Sequence, residues 1–129
     1  MAVEKELHKS GPYADFFCQG VRVDNTLHLA GQVGMTDTGE VPADLAAQVE
    51  TAYQNIAGVL AHFGATMDNI VDETFFVTDM QDCMANVPAV FSVREAAYGK
   101  KPEVCQTLVG TPALVDPRLK VEIKVVARL

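Results

Sequence analysis

Few side chains in this sequence have both the type and the position to do chemistry, and Glu122 is the most informative. It lies between Val121 and Ile123, in a segment that is apolar at alternate positions. A carboxylate in such a strand costs free energy unless water or a cation solvates it. Glu122 is therefore either a site carboxylate that handles water or a solvent-exposed member of a charged row with Lys120 and Lys124.

The histidines and cysteines do not form a metal or nucleophile pattern. The histidines are His8, His28 and His62, and the cysteines are Cys18, Cys83 and Cys105. An odd number of widely spaced cysteines fits neither a disulfide framework nor a zinc site, which would show close pairs. Free cysteines behave mostly as small buried hydrophobes. We therefore predict reduced thiols and no metal.

Composition limits the classes of function. The chain has 129 residues, enough for one domain spanning residues 1–129, and a formal net charge of -7. Such a charge repels a phosphate backbone, so it disfavours nucleic acid as a partner, and it also disfavours an anionic membrane surface. No apolar run reaches the roughly 20 residues of a spanning helix. Residues 1–10 are charged and unlike a signal peptide, so a cytoplasmic location is expected.

Hydrophobic spacing predicts a hairpin followed by a helix. Residues 16–23 and 26–30 are rich in aromatic and β-branched residues and flank Asp24-Asn25, which suits a tight turn. We expect residues 1–15 to be loosely ordered. Between Leu45 and Phe63, apolar residues recur at steps of three and four. Asp44 stands at the start of this helix and Gly64 at its end.

The second half of the chain predicts three strands and one more helix. Residues 70–78 form a strand with Val71, Phe75 and Val77 on one face, and residues 104–110 and 119–127 form two more. A helix over 87–98 is capped by Asn86. The order β-β-α-β-α-β-β predicts an α+β protein with two helices on one face of a mixed sheet. We expect another subunit to cover part of the other face.

Several short motifs occur in the order and at the spacing of a known family. They are Gln19-Gly20-Val21, Leu29-Ala30-Gly31-Gln32, Thr38-Gly39-Glu40-Val41-Pro42, Ala46-Ala47-Gln48, Asn55-Ile56, Phe76-Val77-Thr78-Asp79-Met80, Val115-Asp116-Pro117 and Val121-Glu122-Ile123. The sequence resembles the Rid family (YjgF/YER057c/UK114) over nearly its whole length from Phe17 onward.

The resemblance implies a chorismate-mutase-like fold and a homotrimer with three sites in the clefts between subunits. It also implies hydrolysis of reactive enamines and imines to 2-keto acids and ammonia, with no metal or organic cofactor. In that mechanism an arginine binds the substrate carboxylate, which a guanidinium does through two parallel hydrogen bonds. A glutamate on the last strand handles water.

Carried over by motif, the family glutamate falls on Glu122 and the family glycine on Gly31. The cysteine corresponds to Cys105 after a small shift. The tyrosine that closes the site corresponds to Phe17, with Tyr13 displaced upstream. The asparagine at the start of the second helix is replaced by Pro88, and Asn86 lies two residues away.

The arginine is the main departure from the family pattern. The pattern Pro-x-Arg reads Pro102-Glu103-Val104 here, and no arginine occurs between Arg94 and Arg118. The sequence therefore resembles an Arg-less branch.

Two functions remain open: an imine or enamine hydrolase with an altered substrate or weak activity, and a non-catalytic trimer that binds a small molecule. The retained Glu122 favours the first and the missing arginine favours the second. The endoribonuclease label of some relatives fits poorly with the net charge of -7 and the lack of a basic patch.

Overall fold

The sheet is built around its last strand. The computed structural model describes residues 1–129, and its strands are β1 (Glu6–His8), β2 (Gly20–Val23), β3 (Thr26–Leu29), β4 (Gln32–Val33), β5 (Ile70–Val77), β6 (Cys105–Gly110) and β7 (Val121–Arg128). They are ordered β1-β2-β3-β7-β5-β6, and β4 also pairs with β7. The β5–β6 pair is parallel and the others are antiparallel. Strand β7 therefore joins the hairpin to the β5–β6 pair.

Three α-helices and one short 3-10 helix (Met67–Asn69) connect these strands. The α-helices are α1 (Leu45–His62), α2 (Met80–Ala85) and α3 (Val87–Tyr98). Helix α1 begins at the predicted Leu45 and ends one residue before the predicted Phe63, which is its C-cap. The Asp44 side chain accepts a hydrogen bond of 2.8 Å from the backbone N–H of Ala47, which satisfies a free donor of the first turn. After the helix, Gly64 has a φ of 71°, a left-handed conformation that glycine adopts without steric cost. None of the helices is long and apolar enough to cross a membrane.

Helices α1 and α3 cover one face of the sheet. Side chains along β7 are alternately buried and more exposed, starting with the buried Val121. A cluster of 21 buried apolar residues, including Leu27, Ile56 and Phe75, fills the space between the two layers. The chain is thus a two-layer α+β fold with a mixed sheet, which confirms the predicted fold class.

The predicted hairpin is present, but its first strand is shorter than expected. Val23 pairs with Thr26 across the two-residue loop, in which Asp24 has a φ of 51°. Residues 12–16 form turns, and β2 begins only at Gly20. Residues 6–8 were expected to be loosely ordered. They instead form β1, which is hydrogen-bonded to β2 with Leu7 opposite Val21.

Strand β5 contains a bulge that the alternating pattern did not reveal. The pairing with β7 shifts register between Ile70 and Asp72. The extra residue, Val71, is 43% exposed rather than buried beside Phe75 and Val77 as predicted. A bulge inserts one residue into one strand and turns its side chain away from the regular pattern.

Asn86 precedes α3 as predicted but does not cap it through its side chain. Its Nδ2 instead donates to the backbone oxygen of Asp82 at 2.8 Å and to Oδ1 of Asp82 at 3.0 Å. The reason is α2, a short helix that the sequence pattern did not predict and that ends immediately before Asn86. The side-chain amide of Asn86 therefore bonds to α2, which precedes it, and not to the first turn of α3.

A carboxylate lies in the core between the sheet and the helices. Glu73 is 0% exposed. Its oxygens accept hydrogen bonds from the Tyr53 hydroxyl at 2.8 Å, the Tyr98 hydroxyl at 2.7 Å, Nε of Arg94 at 2.6 Å and Nε2 of Gln106 at 2.9 Å. Burial and the charge of Glu73 raise the pKa of both tyrosines, so their hydroxyls stay protonated and donate. This network is a fully satisfied structural element.

Candidate functional site

The face of the sheet that points away from the helices, here called the outer face, carries the residues of interest. Strand register aligns its side chains in rows across the strands. One row contains Val33, Glu122, Phe76 and Val109. The next contains Lys124, Thr74 and Thr107, and the third contains His28, Val126, Asp72 and Cys105. Every one of these side chains is at least partly exposed in the single chain.

Glu122 packs directly on Gly31. A Cβ atom at position 31 would lie 2.6 Å from Cδ and 2.8 Å from Cγ of Glu122, and closer still to Oε2. A residue without a side chain is therefore needed for this approach. Gly31 lies between β3 and β4, which both pair with β7, so the backbone that links the two strands holds it against the carboxylate.

Polar contacts fix the segment around Gly31. The backbone N–H of Ala30 donates to the oxygen of Gln19 at 2.9 Å. Nε2 of Gln32 donates to Oε1 of Gln19 at 2.8 Å and to the oxygen of Ala30 at 3.1 Å. From α1, Nδ2 of Asn55 donates to the oxygen of Val33 at 2.9 Å. Hydrogen bonds with Gln19 on one side and with Asn55 of α1 on the other therefore fix the backbone around Gly31, on which Glu122 packs.

The charged row that the sequence left open does not form. Lys120 approaches Asp82 at 4.0 Å, and Nζ of Lys124 donates to the backbone oxygen of Leu29 at 2.6 Å. Glu122 receives no hydrogen bond or salt bridge from another side chain. Its partial burial raises the pKa of its carboxyl, and the charge of Lys124 opposes this. Glu122 is an unpaired carboxylate that is poorly solvated, which suits a proton acceptor.

Tyr13 and Phe17 form an aromatic pair. Their rings stack with centroids 5.6 Å apart and an interplanar angle of 15°, and they are 43% and 46% exposed. Phe17 is two residues before Gln19, which is bonded to the Gly31 segment. The structure therefore links this pair to the Gly31 segment through the backbone, and the rings remain open to solvent.

The remaining predicted site residues do not join Glu122 within one chain. Val104 packs against the hydrophobic core rather than pointing outward. Cys105 is exposed on the outer face, in the row of Val126. Four residues of β7 separate that row from Glu122, a distance of about 13 Å. Asn86 is bonded to Asp82.

The two arginines nearest to the gap in the sequence are both paired with carboxylates. Nε of Arg94 is 2.6 Å from Oε2 of Glu73, and the guanidinium of Arg118 is 3.0 Å from Oδ2 of Asp116. Neither replaces the missing arginine of the family pattern. No group of three or more histidine, cysteine, aspartate and glutamate residues is arranged to hold a metal ion.

Comparison with known proteins identifies the family. The family model described as Endoribonuclease L-PSP matches residues 5–129. The chain belongs to the Rid (YjgF/YER057c/UK114) family. One Rid relative, the RutC family protein YjgH of Escherichia coli (strain K12), is 31% identical over 113 residues, which cover 88% of this chain and 82% of the relative.

Two further comparisons support the assignment to the Rid family. The 2-iminobutanoate/2-iminopropanoate deaminase of the same strain is 36% identical over 92 residues, covering 70% of this chain and 68% of the relative. The crystal structure of Rv2704 from Mycobacterium tuberculosis, a YjgF/YER057c/UK114 member, has a TM-score of 0.81 and 29% identity, covering 98% of this chain and 100% of Rv2704. The resemblance inferred from the short motifs is thereby confirmed.

Sequence reasoning missed the buried network around Glu73. The signal was available, because Glu73 has the same strand parity as Phe75 and Val77 and so shares their buried face. The hydrogen bond between Lys124 and the Leu29 oxygen had no such signal, since it depends on the path of the chain between β3 and β4.

Proposed function

We propose that this protein is a hydrolase of small reactive imines or enamines and that Glu122 holds the attacking water. The observation that carries the proposal is the unpaired, half-buried carboxylate packed on Gly31 at the outer face. A relative that is 36% identical is named 2-iminobutanoate/2-iminopropanoate deaminase, which supports the class of reaction.

The chemistry requires a proton acceptor close to the substrate carbon. Water adds to the imine carbon, and Glu122 accepts a proton from that water and passes it to the imine nitrogen, which gives a carbinolamine. Glu122 then accepts the hydroxyl proton of the carbinolamine and donates it to the nitrogen while the C–N bond breaks, releasing ammonia and a carbonyl compound. A carboxylate with a raised pKa performs both transfers better than an ordinary one, because its basicity lies closer to neutral pH.

The site is expected to be completed by other copies of the chain. The row of Glu122 exposes the apolar side chains of Val33, Phe76 and Val109, and a single chain would leave this surface in water. A homotrimer would cover it and create clefts beside Glu122. Light scattering should then give about three times the chain mass of 13.9 kDa. A monodisperse monomer at micromolar concentration would contradict this assembly.

The missing arginine is expected to limit the reaction. Val104 packs against the core and offers no donor, so the bidentate contact with a substrate carboxylate is lost. A charge-assisted hydrogen bond contributes roughly 1.5–3 kcal/mol. We therefore expect slow turnover or an altered substrate. The same absence supports the alternative of a trimer that binds a small molecule without converting it.

A ribonuclease activity is not favoured by the charges. The net charge is -7, and Glu73, Asp116 and Asp82 each have a cationic side chain within 4.0 Å, which leaves fewer cations for a phosphate backbone. If the protein did bind RNA through phosphate contacts, its affinity for RNA would fall as the salt concentration rises. Cleavage of RNA by the wild-type protein that disappears in Glu122→Gln would overturn this judgement.

The decisive experiment generates the imine in place. A dehydratase acting on serine or threonine releases it, and keto-acid and ammonia formation are followed with and without the protein. Wild type should accelerate release by a small but measurable factor, because the arginine is missing. Glu122→Gln, which keeps the shape but not the basicity, should abolish that acceleration while the trimer and its melting temperature are retained. Glu103→Gln is the matched control, because Glu103 is an exposed glutamate with no contact to Gly31.

Two results would contradict the proposal. The first is wild-type protein that leaves the rate of keto-acid release unchanged, and the second is Glu122→Gln with full activity. Binding of the keto acid without acceleration of its release would favour the non-catalytic alternative.

A further inference from the structure

Lys124 is the cation best placed to act together with Glu122. The two residues are separated by one position in β7, and their side chains leave the same face of the sheet. Alternate residues of a strand are about 7 Å apart. The two groups do not form a salt bridge, yet the charge of Lys124 is felt at the Glu122 carboxyl.

Both side chains converge on one short segment of backbone. Glu122 packs on Gly31, and Nζ of Lys124 donates to the oxygen of Leu29 at 2.6 Å. An ammonium group has three N–H donors, so this bond orients Lys124 and leaves two donors for a ligand. The carboxylate and the ammonium are therefore both fixed relative to the same loop.

Three other cations are engaged with carboxylates. Arg94 is bonded to Glu73 in the core, and Lys100 lies 3.2 Å from Asp68. Lys120, two residues before Glu122, approaches Asp82 at 4.0 Å. Lys124 has no carboxylate partner and bonds only to a backbone oxygen.

Glu122 has apolar neighbours and Lys124 has polar ones, so the surface suits a small molecule with one apolar end and one charged end. The row of Glu122 also contains the apolar Phe76 and Val109, whereas the row of Lys124 contains the hydroxyls of Thr74 and Thr107. An anionic group fits beside Lys124 and the hydroxyls. A short aliphatic group fits beside Phe76.

We propose that Lys124 determines substrate specificity by binding the carboxylate of a short-chain 2-imino acid, in place of the missing arginine. The proposal rests on the proposed function, and it assigns to that reaction a residue that recognises the substrate. The carboxyl carbon of a 2-imino acid is bonded directly to the imine carbon. A lysine is a point charge rather than a planar fork, so it selects for the anion while orienting it less tightly.

The first test compares an anionic imine with a neutral one. The anionic imine comes from serine and a dehydratase, and the neutral one from a short alkylamine and a flavin amine oxidase. At a pH above the acid limb, Lys124→Met should raise KM for the anionic imine about tenfold or more and leave KM for the neutral imine unchanged. Lys124→Arg should retain the preference, and Lys120→Met is the matched control. Equal losses for both imines, or no loss, would overturn the assignment.

A second readout follows the pH profile. Since Lys124 holds the pKa of Glu122 down, Lys124→Met should move the acid limb of kcat/KM to higher pH, whereas Lys120→Met should not. An unmoved acid limb would contradict the proposed coupling between the two residues.

The third measurement separates this inference from the proposed function. Pyruvate binding is titrated by NMR in wild type, Lys124→Met and Lys120→Met, with no turnover required. Weaker binding in Lys124→Met alone would support the assignment of Lys124 even if no imine were hydrolysed. Unchanged binding in Lys124→Met would overturn it even if imine hydrolysis were established.

Discussion

Gly31 and Glu122 are in contact so close that no side chain fits between them. A methyl group at position 31 would overlap Cγ, Cδ and Oε2 of the glutamate at once. Glu122 can therefore occupy its observed position only if residue 31 has no side chain. This makes the glycine an independent probe of the site, separate from any change to the carboxylate itself.

Gly31→Ala is expected to impair turnover more than folding. Gly31 does not have a positive φ, so alanine is compatible with its backbone, and the side chain that must move is flexible. Displacing a reacting group by about 1 Å lowers rates roughly 100-fold. Steady-state kinetics should show that loss, with a melting temperature close to that of wild type.

The matched control is Gly58→Ala. Gly58 is an exposed residue of α1 whose added Cβ would meet no atom within 4 Å. Alanine should stabilise this helix by about 0.5–1 kcal/mol and leave turnover unchanged. If Gly31→Ala retained full activity, the contact with Glu122 would have no role in the reaction.

Glu73→Ala is expected to destabilise the protein strongly. It leaves the Arg94 guanidinium, whose side chain is only 12% exposed, and two tyrosine hydroxyls without their acceptor. Removing one partner of a buried pair costs about 3–5 kcal/mol. Urea denaturation would measure it. Asp72→Ala, at the exposed neighbouring position, should stay within about 0.5 kcal/mol of wild type. If Glu73→Ala and wild type had equal free energies of unfolding, the network around Glu73 would contribute little to stability.

Acidification is expected to weaken the N-terminal strand. The His8 ring stacks on His62 with centroids 3.8 Å apart. Burial, with a further contribution from His62, lowers the pKa of His8 below its ordinary 6.5. The unfolded chain therefore binds a proton more readily than the folded chain. Stability from this pair is complete above about pH 6.5 and is lost as pH falls through the lowered pKa of His8.

Thermal unfolding at a series of pH values would detect this effect. Between about pH 7 and pH 5, where histidine titrates, the melting temperature of wild type should fall more than that of His8→Gln. His28→Gln, on the exposed outer face, should behave like wild type. Parallel curves for wild type and His8→Gln would show that the stacked pair does not sense pH.

Val104→Arg is not expected to restore a carboxylate-binding arginine. Val104 packs against the core, and a guanidinium there must either displace apolar neighbours or turn outward. Overpacking of this kind costs about 1–3 kcal/mol. A lower melting temperature with no gain in keto-acid release is expected, whereas Glu103→Arg, at the exposed neighbouring position, should keep its stability. A clear gain in activity by Val104→Arg would show that residue 104 reaches the substrate.

The sequence predicted those parts of the fold that depend on local patterns. Asp44 and Gly64 bound α1 because caps are set by residues next to the helix. Alternation along β7 assigned its buried face correctly. The bulge at Val71 escaped prediction, because it arises from pairing with β7, about 50 residues away in the sequence.

The sequence also predicted part of the candidate site. The family motifs assigned both Gly31 and Glu122 to the site, and the structure places the two residues in contact. For Val104 the family pattern predicted the place of the carboxylate-binding residue, and in the single chain its side chain packs against the core. Cys105 lies on the same face as Glu122 but in a distant row, and sheet register, which the sequence does not display, sets that distance.

The central position of β7 has a consequence for how the protein is made. Strands β3 and β5 both hydrogen-bond to β7, yet the ribosome makes them long before it. Until β7 emerges, the hairpin and the β5 segment have no common partner, and both carry open edges that invite pairing with other chains. The sheet therefore closes only after β7 has been made, and the open edges of the earlier strands persist up to that moment.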